Sequence, residues 1–180
     1  LAVPIGKISK LLGVDPIRVP GQQYKVNEEY FQRINAIDFA MYTDDGQTGE
    51  RLLSADVIIV GISRTSKTPT CIYLAYQGLR AANLPLFPNQ EPPQNFFIAL
   101  QRKIPIVGLI ASITRLKEIR SNRLKKMGKK NITDYINTEK IQEELIYARL
   151  FYERHNIPIL DVTRRSIEET AAAVKDLIKK

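Results

Sequence analysis

Hydrophobic and polar positions follow two periods along this chain, and the two periods separate strands from helices. Short continuous apolar runs, which are typical of buried strands, lie at 57–60, 84–87, 104–110 and 157–162. Apolar residues that recur every three or four positions predict helices over about 27–43, 69–79, 112–127, 138–155 and 166–178. Strands and helices therefore alternate along most of the sequence.

This alternation is typical of an α/β fold, and we predict a mostly parallel sheet with helices on both faces. In such a sheet the carboxyl ends of the strands lie along one edge, and ligands bind beyond that edge. The predicted edge brings together residues 61–68, the loop after Phe87 and residues 161–165. We expect the functional site to lie there.

The chain has 180 residues, of which 44% are hydrophobic, so it can bury the core of one domain. Residues 1–26 contain several Pro and Gly residues, which predicts an irregular segment with at most a short helix at 7–12. Residues 27–180 form the predicted folded domain. No apolar run approaches the roughly 18 residues of a membrane span, and we expect no membrane partner.

The segment after the first predicted strand is the strongest candidate for chemistry. It fits the phosphate-loop pattern G-x-x-x-x-G-K-[ST] except that a serine replaces the second glycine. In such a loop, backbone N–H groups and a helix N-terminus surround an anion. The alternative is a polar turn that binds no ligand. The nucleotide-binding candidates are Gly61, Ile62, Ser63, Arg64, Thr65, Ser66, Lys67 and Thr68.

The residue types in this loop suggest separate roles. Lys67 can reach a transferring phosphate, Arg64 can neutralise its charge, and the hydroxyl of Thr68 can bind a magnesium ion. The glycine that Ser66 replaces normally allows a positive φ close to a phosphate. Ser66 therefore predicts either a strained backbone or a loop of different shape.

Three carboxylates are candidates for catalysis or metal binding. Asp44 and Asp45 precede a glycine in a predicted turn, and we expect one of them to act as a general base or to hold magnesium. The alternative is that they only form the turn. Asp161 ends an apolar strand at the expected ligand edge, where it can serve as a magnesium ligand.

Four arginines are candidates for contacts to phosphate. Arg120 and Arg123 lie three residues apart and so share a face of their predicted helix. Arg164 and Arg165 follow Asp161 at the expected ligand edge. A solvated basic surface explains the first pair equally well.

The formal charge of +8 calls for a polyanionic ligand or partner but does not choose one. Residues 101–130 carry ten basic residues and one acid, which keeps a nucleic-acid-binding module open as an alternative. The chain has no Trp and only 8% aromatic residues, so stacking platforms for bases are not evident. We therefore expect no nucleic-acid partner. The single cysteine, Cys71, cannot form an internal disulfide, which is compatible with a cytoplasmic location.

The string 61–69 resembles the signature of the bacterial regulatory proteins of pyruvate, phosphate dikinase and phosphoenolpyruvate synthase, in which a serine at the position of Ser66 is ordinary. The resemblance continues at 29–34, 44–47, 119–124 and 161–170. It implies a bifunctional enzyme. Such an enzyme phosphorylates a threonine of its target with ADP and removes that phosphate with inorganic phosphate, releasing pyrophosphate.

The resemblance also sets expectations for the domains and the partner. Family members are longer at the N-terminus, so residues 1–26 are expected to link an absent N-terminal domain to a P-loop phosphotransferase domain at 27–180. We expect ADP, inorganic phosphate and magnesium as ligands and pyruvate, phosphate dikinase as the target. Phosphoenolpyruvate synthase as target, or a small-molecule or nucleotide kinase, remain alternatives. The sequence leaves the oligomeric state open, a homodimer included.

Overall fold

A computed structural model describes residues 7, 9–14, 28–44, 49–88, 90–126 and 133–179. Its strands are β1 Val57–Gly61, β2 Ala81–Pro85, β3 Ile106–Ile110 and β4 Ile159–Asp161. Its helices are α1 Glu28–Tyr42, α2 Lys67–Tyr76, α3 Gln94–Gln101, α4 Ile113–Lys126, α5 Thr133–Ile136, α6 Thr138–Arg154 and α7 Ile167–Ile178, with a 3₁₀ helix at Glu50–Ser54.

The four strands form one parallel sheet in the order β2-β1-β3-β4. Every residue of β1 is buried, since β1 has a neighbour on each side and helices flank the sheet. This confirms the predicted α/β fold. The chain leaves β1 toward β2 and later leaves β3 toward β4, so the direction of winding reverses between β1 and β3. Ligands of open parallel sheets bind beyond such a reversal, and the loop after β1 starts there.

Tyr152 of α6 packs against this part of the sheet and forms hydrogen bonds to it. Its hydroxyl donates to the carbonyl oxygens of Val60 (3.1 Å) and Leu109 (3.2 Å), near the carboxyl ends of the two central strands. A Cβ on Gly108 would meet the Tyr152 ring at 2.8 Å, so glycine is needed for this close contact. Burial raises the pKa of Tyr152, which keeps the hydroxyl protonated and able to donate.

Two elements between β1 and β3 differ from the prediction. Strand β2 begins at Ala81, three residues before the predicted start at 84. The sequence did not indicate this earlier start, because Ala81, Ala82 and Asn83 have low strand propensity and form a strand only by pairing with β1. Helix α3 was not predicted. It supplies the crossover that a parallel sheet requires between β2 and β3, and it buries Phe96 and Ala99.

Helix α1 has the predicted bounds but buries a different face. The apolar spacing predicts an inward Phe31 and Met41, yet these side chains are 58% and 67% exposed. The buried residues are Ala36 and Ala40. Small side chains allow α1 to approach α2 closely, and this packing decides the face. Helix α2 also ends earlier than predicted, with Gly78 just beyond it at φ 84°.

Helix starts follow side-chain capping closely. Ser166 and Glu169 form a capping box at the start of α7, and the Ser112 hydroxyl accepts from Arg115 N at 3.3 Å at the start of α4. Asn137 caps α6 by accepting from two backbone N–H groups. No helix in the described ranges has the length and apolar character that crossing a bilayer requires.

Candidate phosphate-binding site

The loop between β1 and α2 contains two non-glycine residues in the left-handed region. Arg64 has φ 72° and Ser66 has φ 61° with ψ 24°. Ser66 therefore adopts the conformation that glycine usually supplies at this position, at a cost on the order of 1 kcal/mol. No side chain in the described ranges caps the α2 N-terminus, so its first N–H groups point out of the helix without such a cap. Such a terminus favours an anion.

The start of the loop is tightly packed. A Cβ on Gly61 would meet Thr65 Oγ1 at 2.8 Å and the Leu109 carbonyl oxygen at 2.9 Å. Thr65 is buried, and its hydroxyl donates to the Ile62 carbonyl oxygen at 2.9 Å. The first glycine of the motif is therefore required by space rather than by φ.

Lys67 lies in the first turn of α2 and is only 7% exposed. Its Nζ donates to the Ile62 carbonyl oxygen at 2.8 Å. Burial lowers the pKa of Lys67 to about 8, although the nearby carboxylate of Asp44 acts in the opposite direction. At neutral pH the amine is still mostly protonated. Among the described residues this desolvated cation has one hydrogen-bond partner, which is neutral, and this favours an anionic ligand.

Three polar side chains meet beside Lys67. Asp44 Oδ1 accepts from Thr68 Oγ1 at 2.8 Å and from Asn83 Nδ2 at 2.6 Å. Asn83 Nδ2 also lies 3.0 Å from Thr68 Oγ1. We call Asp44, Thr68 and Asn83 the polar triangle. The carboxylate of Asp44, predicted in a turn, and the hydroxyl of Thr68, predicted to bind magnesium, are thus in direct contact.

The polar triangle and the loop line one cavity of about 450 Å³. Phe87 and the segment 90–93 form part of its wall, as expected for the loop after β2. The cavity lies at the carboxyl ends of β1 and β2 and is large enough for the phosphates of a nucleotide. Its charged and polar lining comprises Asp44, Ser63, Arg64, Lys67, Thr68, Asn83, Gln90 and Glu91.

Arg120, a predicted phosphate contact, lies behind the loop and is 0% exposed. Its guanidinium forms two contacts to the Glu144 carboxylate, at 3.1 and 2.5 Å, and donates to the Ser63 carbonyl oxygen at 3.1 Å. Arg120 Nε is buried without a partner among the described residues. This arginine therefore anchors the backbone of the loop from behind and does not line the cavity. Arg123, three residues later, is exposed.

Tyr135 of α5 links the loop to this buried ion pair. Its hydroxyl accepts from Arg64 Nε at 2.9 Å and lies 3.1 Å from Ser63 Oγ. The Arg120 guanidinium lies 4.8 Å from the Tyr135 ring centroid and donates to the Tyr135 carbonyl oxygen at 3.2 Å. Arg64 is thereby fixed at one edge of the cavity.

The sequence profile of the kinase/pyrophosphorylase family matches residues 1–174. The chain belongs to this family. It is 49% identical over 174 residues to a Caulobacter vibrioides protein, 51% over 159 residues to one of Bartonella tribocorum, and 43% over 166 residues to one of Enterococcus faecalis. All three carry the provisional name pyruvate, phosphate dikinase regulatory protein.

These alignments cover 97%, 88% and 91% of the chain but 55%, 57% and 60% of the respective relatives. The chain thus spans little more than half the length of the curated relatives it matches. The predicted family resemblance is confirmed over nearly the whole sequence.

A second cavity, of about 590 Å³, lies at the carboxyl end of β4. Asp161 Oδ1 accepts there from the backbone N–H and the hydroxyl of Thr163. Arg164 and Arg165 are exposed and line this cavity, and Arg165 Nε donates to the Asp161 carbonyl oxygen at 3.2 Å. The structure therefore places the predicted magnesium ligands Thr68 and Asp161 in different cavities.

Asn83, Tyr135 and Glu144 belong to the site but were not predicted. The sequence contains one indication of Asn83, since it is a polar residue within a short apolar stretch. It contains no indication of Tyr135 or Glu144, because their contact partners are far away in sequence. The predicted Asp45 lies outside the described residues.

Proposed function

We propose that this chain is the phosphotransfer part of a regulatory enzyme that moves a phosphoryl group between ADP and a threonine of pyruvate, phosphate dikinase. Membership of the kinase/pyrophosphorylase family and the names of the relatives support this proposal. The observation that carries it is the buried Lys67, set at an uncapped helix N-terminus in a cavity lined by Arg64 and Thr68. The single cysteine, Cys71, is a buried free thiol, which suits the cytoplasm.

Both directions of the proposed reaction move one phosphoryl group between oxygen atoms. In the kinase direction the threonine oxygen bonds to the β-phosphorus of ADP, the bond from that phosphorus to the bridging oxygen breaks, and AMP leaves. In the phosphorylase direction an oxygen of inorganic phosphate attacks the phosphothreonine phosphorus, the bond to the threonine oxygen breaks, and pyrophosphate leaves. One phosphate-binding loop can serve both reactions, because each passes through a similar charged phosphoryl group.

The residues of the cavity have distinct roles in this proposal. Lys67, Arg64 and the loop amides hold the transferring phosphate and neutralise the charge that develops on it. Thr68 supplies a hydroxyl ligand for magnesium, which when bound adds charge neutralisation at the phosphates. Asp44 or Asp45 orients the acceptor threonine and takes its proton in the kinase direction.

The test is phosphoryl transfer by the full-length protein to histidine-phosphorylated dikinase, with β-labelled ADP or γ-labelled ATP as donor. We expect label on a dikinase threonine from ADP and at least about tenfold less from ATP. Addition of inorganic phosphate to the labelled dikinase should release labelled pyrophosphate. Transfer from ATP to a small acceptor, with none from ADP, would instead identify a small-molecule kinase. Labelling of phosphoenolpyruvate synthase but not dikinase would change the target alone.

A further inference from the structure

We infer that Asn83 completes a divalent-cation site with Asp44 and Thr68, so that the polar triangle holds the cation that accompanies a bound nucleotide. This inference rests on the proposed function. It adds a residue from β2 that no sequence motif indicates. It also places the cation beside the phosphate loop and away from Asp161.

The spacing of the three side chains fits a hard cation. Magnesium binds oxygen ligands at about 2.0–2.1 Å in octahedral geometry, which places adjacent ligands about 3 Å apart. The three atoms of the polar triangle are separated by 2.6, 2.8 and 3.0 Å. The Asn83 atom in this set is Nδ2, which cannot bind a cation, so ligation requires the amide to flip and bring Oδ1 to the position of Nδ2. The carboxylate oxygen, the hydroxyl and the flipped amide oxygen then lie at the spacing of one face of such an octahedron.

Asn83 carries an unpartnered acceptor at this site. The residue is 6% exposed, and its Oδ1 is buried without a hydrogen-bond partner among the described residues. A carboxylate only accepts, so the amide must turn its NH₂ group toward Asp44 when no cation is bound. This leaves the amide oxygen unsatisfied. A cation or a cation-bound water provides the missing partner.

The position of Asn83 in the sheet gives the same indication. It pairs with Ile59 of β1 and lies between the buried Ala82 and Leu84. An apolar side chain would suit this strand better, because a buried amide loses its hydration. The polar residue is nevertheless placed at the cavity wall, 3.0 Å from the hydroxyl of Thr68.

The site has one carboxylate, and the described part of the chain contains no group of three or more His, Cys, Asp or Glu residues able to hold a metal. Magnesium commonly binds through one or two carboxylates together with substrate phosphates. The polar triangle therefore binds the cation jointly with the nucleotide rather than alone.

The test measures how strongly magnesium tightens nucleotide binding. The full-length protein is titrated by calorimetry with α,β-methylene ADP, which cannot transfer its phosphate, with magnesium or with a chelator. We expect magnesium to lower the Kd of the wild-type protein at least about tenfold. For Asn83→Leu, the ratio of the Kd in chelator to the Kd in magnesium, which we call the magnesium ratio, should fall to about 1–3. The Kd in chelator should stay within about twofold of the wild-type value.

Two further variants separate ligation from folding. Asn122→Leu replaces an exposed asparagine on α4 and should keep the wild-type ratio. Asn83→Asp keeps an oxygen ligand and adds a charge beside Asp44. It should bind the analogue more weakly in chelator and show a magnesium ratio at least as large as that of the wild type.

The outcomes distinguish the two proposals. If the wild-type protein binds the analogue and Asn83→Leu keeps the full magnesium ratio, the cation site is overturned and the proposed function stands. If Asn83→Leu does not fold, Asn83→Asp decides, and a lost magnesium ratio there overturns the inference. If the wild-type protein binds no analogue under either condition, the proposed function is overturned.

Discussion

Lys67→Met is expected to reduce ADP-dependent phosphoryl transfer by about 10²- to 10³-fold, because it removes a preorganised cation from the transferring phosphate. Lys67 is buried at the cavity, and its one hydrogen bond within the described part of the chain is to the Ile62 carbonyl oxygen, a neutral group that does not satisfy its charge. The measurement is single-turnover transfer to histidine-phosphorylated dikinase. Lys175→Met is the control, since Lys175 lies on α7 and contacts the exposed Gln77 side chain.

The same substitution is expected to stabilise the fold. Burial lowers the pKa of Lys67 to about 8 from an ordinary 10.5, so the folded state disfavours the cation relative to the unfolded state. Methionine has a shape similar to that of lysine and carries no charge. The free energy of unfolding of the Lys67→Met variant at pH 7 should therefore be about 2 kcal/mol higher than that of the wild-type protein. A lost activity with a gained stability excludes misfolding as the cause. An unchanged transfer rate would contradict the role of Lys67.

The pH dependence of this gain has a definite sign. Between pH 8 and 10.5 the unfolded wild-type chain binds more protons at Lys67 than the folded chain, so wild-type stability rises with pH. The advantage of Lys67→Met should therefore shrink across this window. Transfer by the wild-type protein should fall as pH rises above about 8, because the neutral amine no longer attracts phosphate.

Glu144→Leu is expected to lower the free energy of unfolding by about 3–5 kcal/mol. It leaves the guanidinium of Arg120, which is fully buried, without its carboxylate partner. The remaining contacts of Arg120 are to neutral carbonyl groups and the Tyr135 ring. Chemical unfolding followed by fluorescence or circular dichroism measures the change.

A matched control lies on the same helix as Arg120. Arg115 and Glu118 form an exposed pair at 3.2 Å, and Glu118→Leu should change stability by less than about 1 kcal/mol. The double variant Arg120→Met, Glu144→Leu should regain most of the lost stability. It should remain impaired in transfer, because the Ser63 carbonyl loses its anchor. Full recovery of transfer would show that Arg120 serves packing alone.

The sequence predicted the parts of the site that depend on local order. Strand β1, the loop after it and a helix following that loop are indicated by a few adjacent residues, and the structure has all three, with α2 beginning at Lys67 instead of the predicted 69. The unusual Ser66 was flagged by its departure from the glycine pattern, and its left-handed φ is one of the two outcomes considered. The parallel sheet followed from the alternation of strands and helices.

The parts that the sequence did not predict depend on contacts between distant residues. The sequence pattern does not distinguish Arg120 from Arg123, since both lie on the same face of the predicted helix. Only the packing of α6 and α5 makes Arg120 buried and leaves Arg123 exposed. Asp161 ends a strand at the predicted edge, yet β3 separates β4 from β1, so the second cavity is distinct. Asn83 was missed because Ala and Asn have low strand propensity.

The most direct test of the phosphate-loop assignment is amide hydrogen exchange of the full-length protein with and without magnesium and α,β-methylene ADP. Ligand phosphates that accept from the loop amides should slow exchange at 62–68 by about tenfold or more. Residues 161–169, which line the second cavity, should change little. Protection confined to 161–169, with none at 62–68, would contradict the assignment and move the nucleotide to the end of β4.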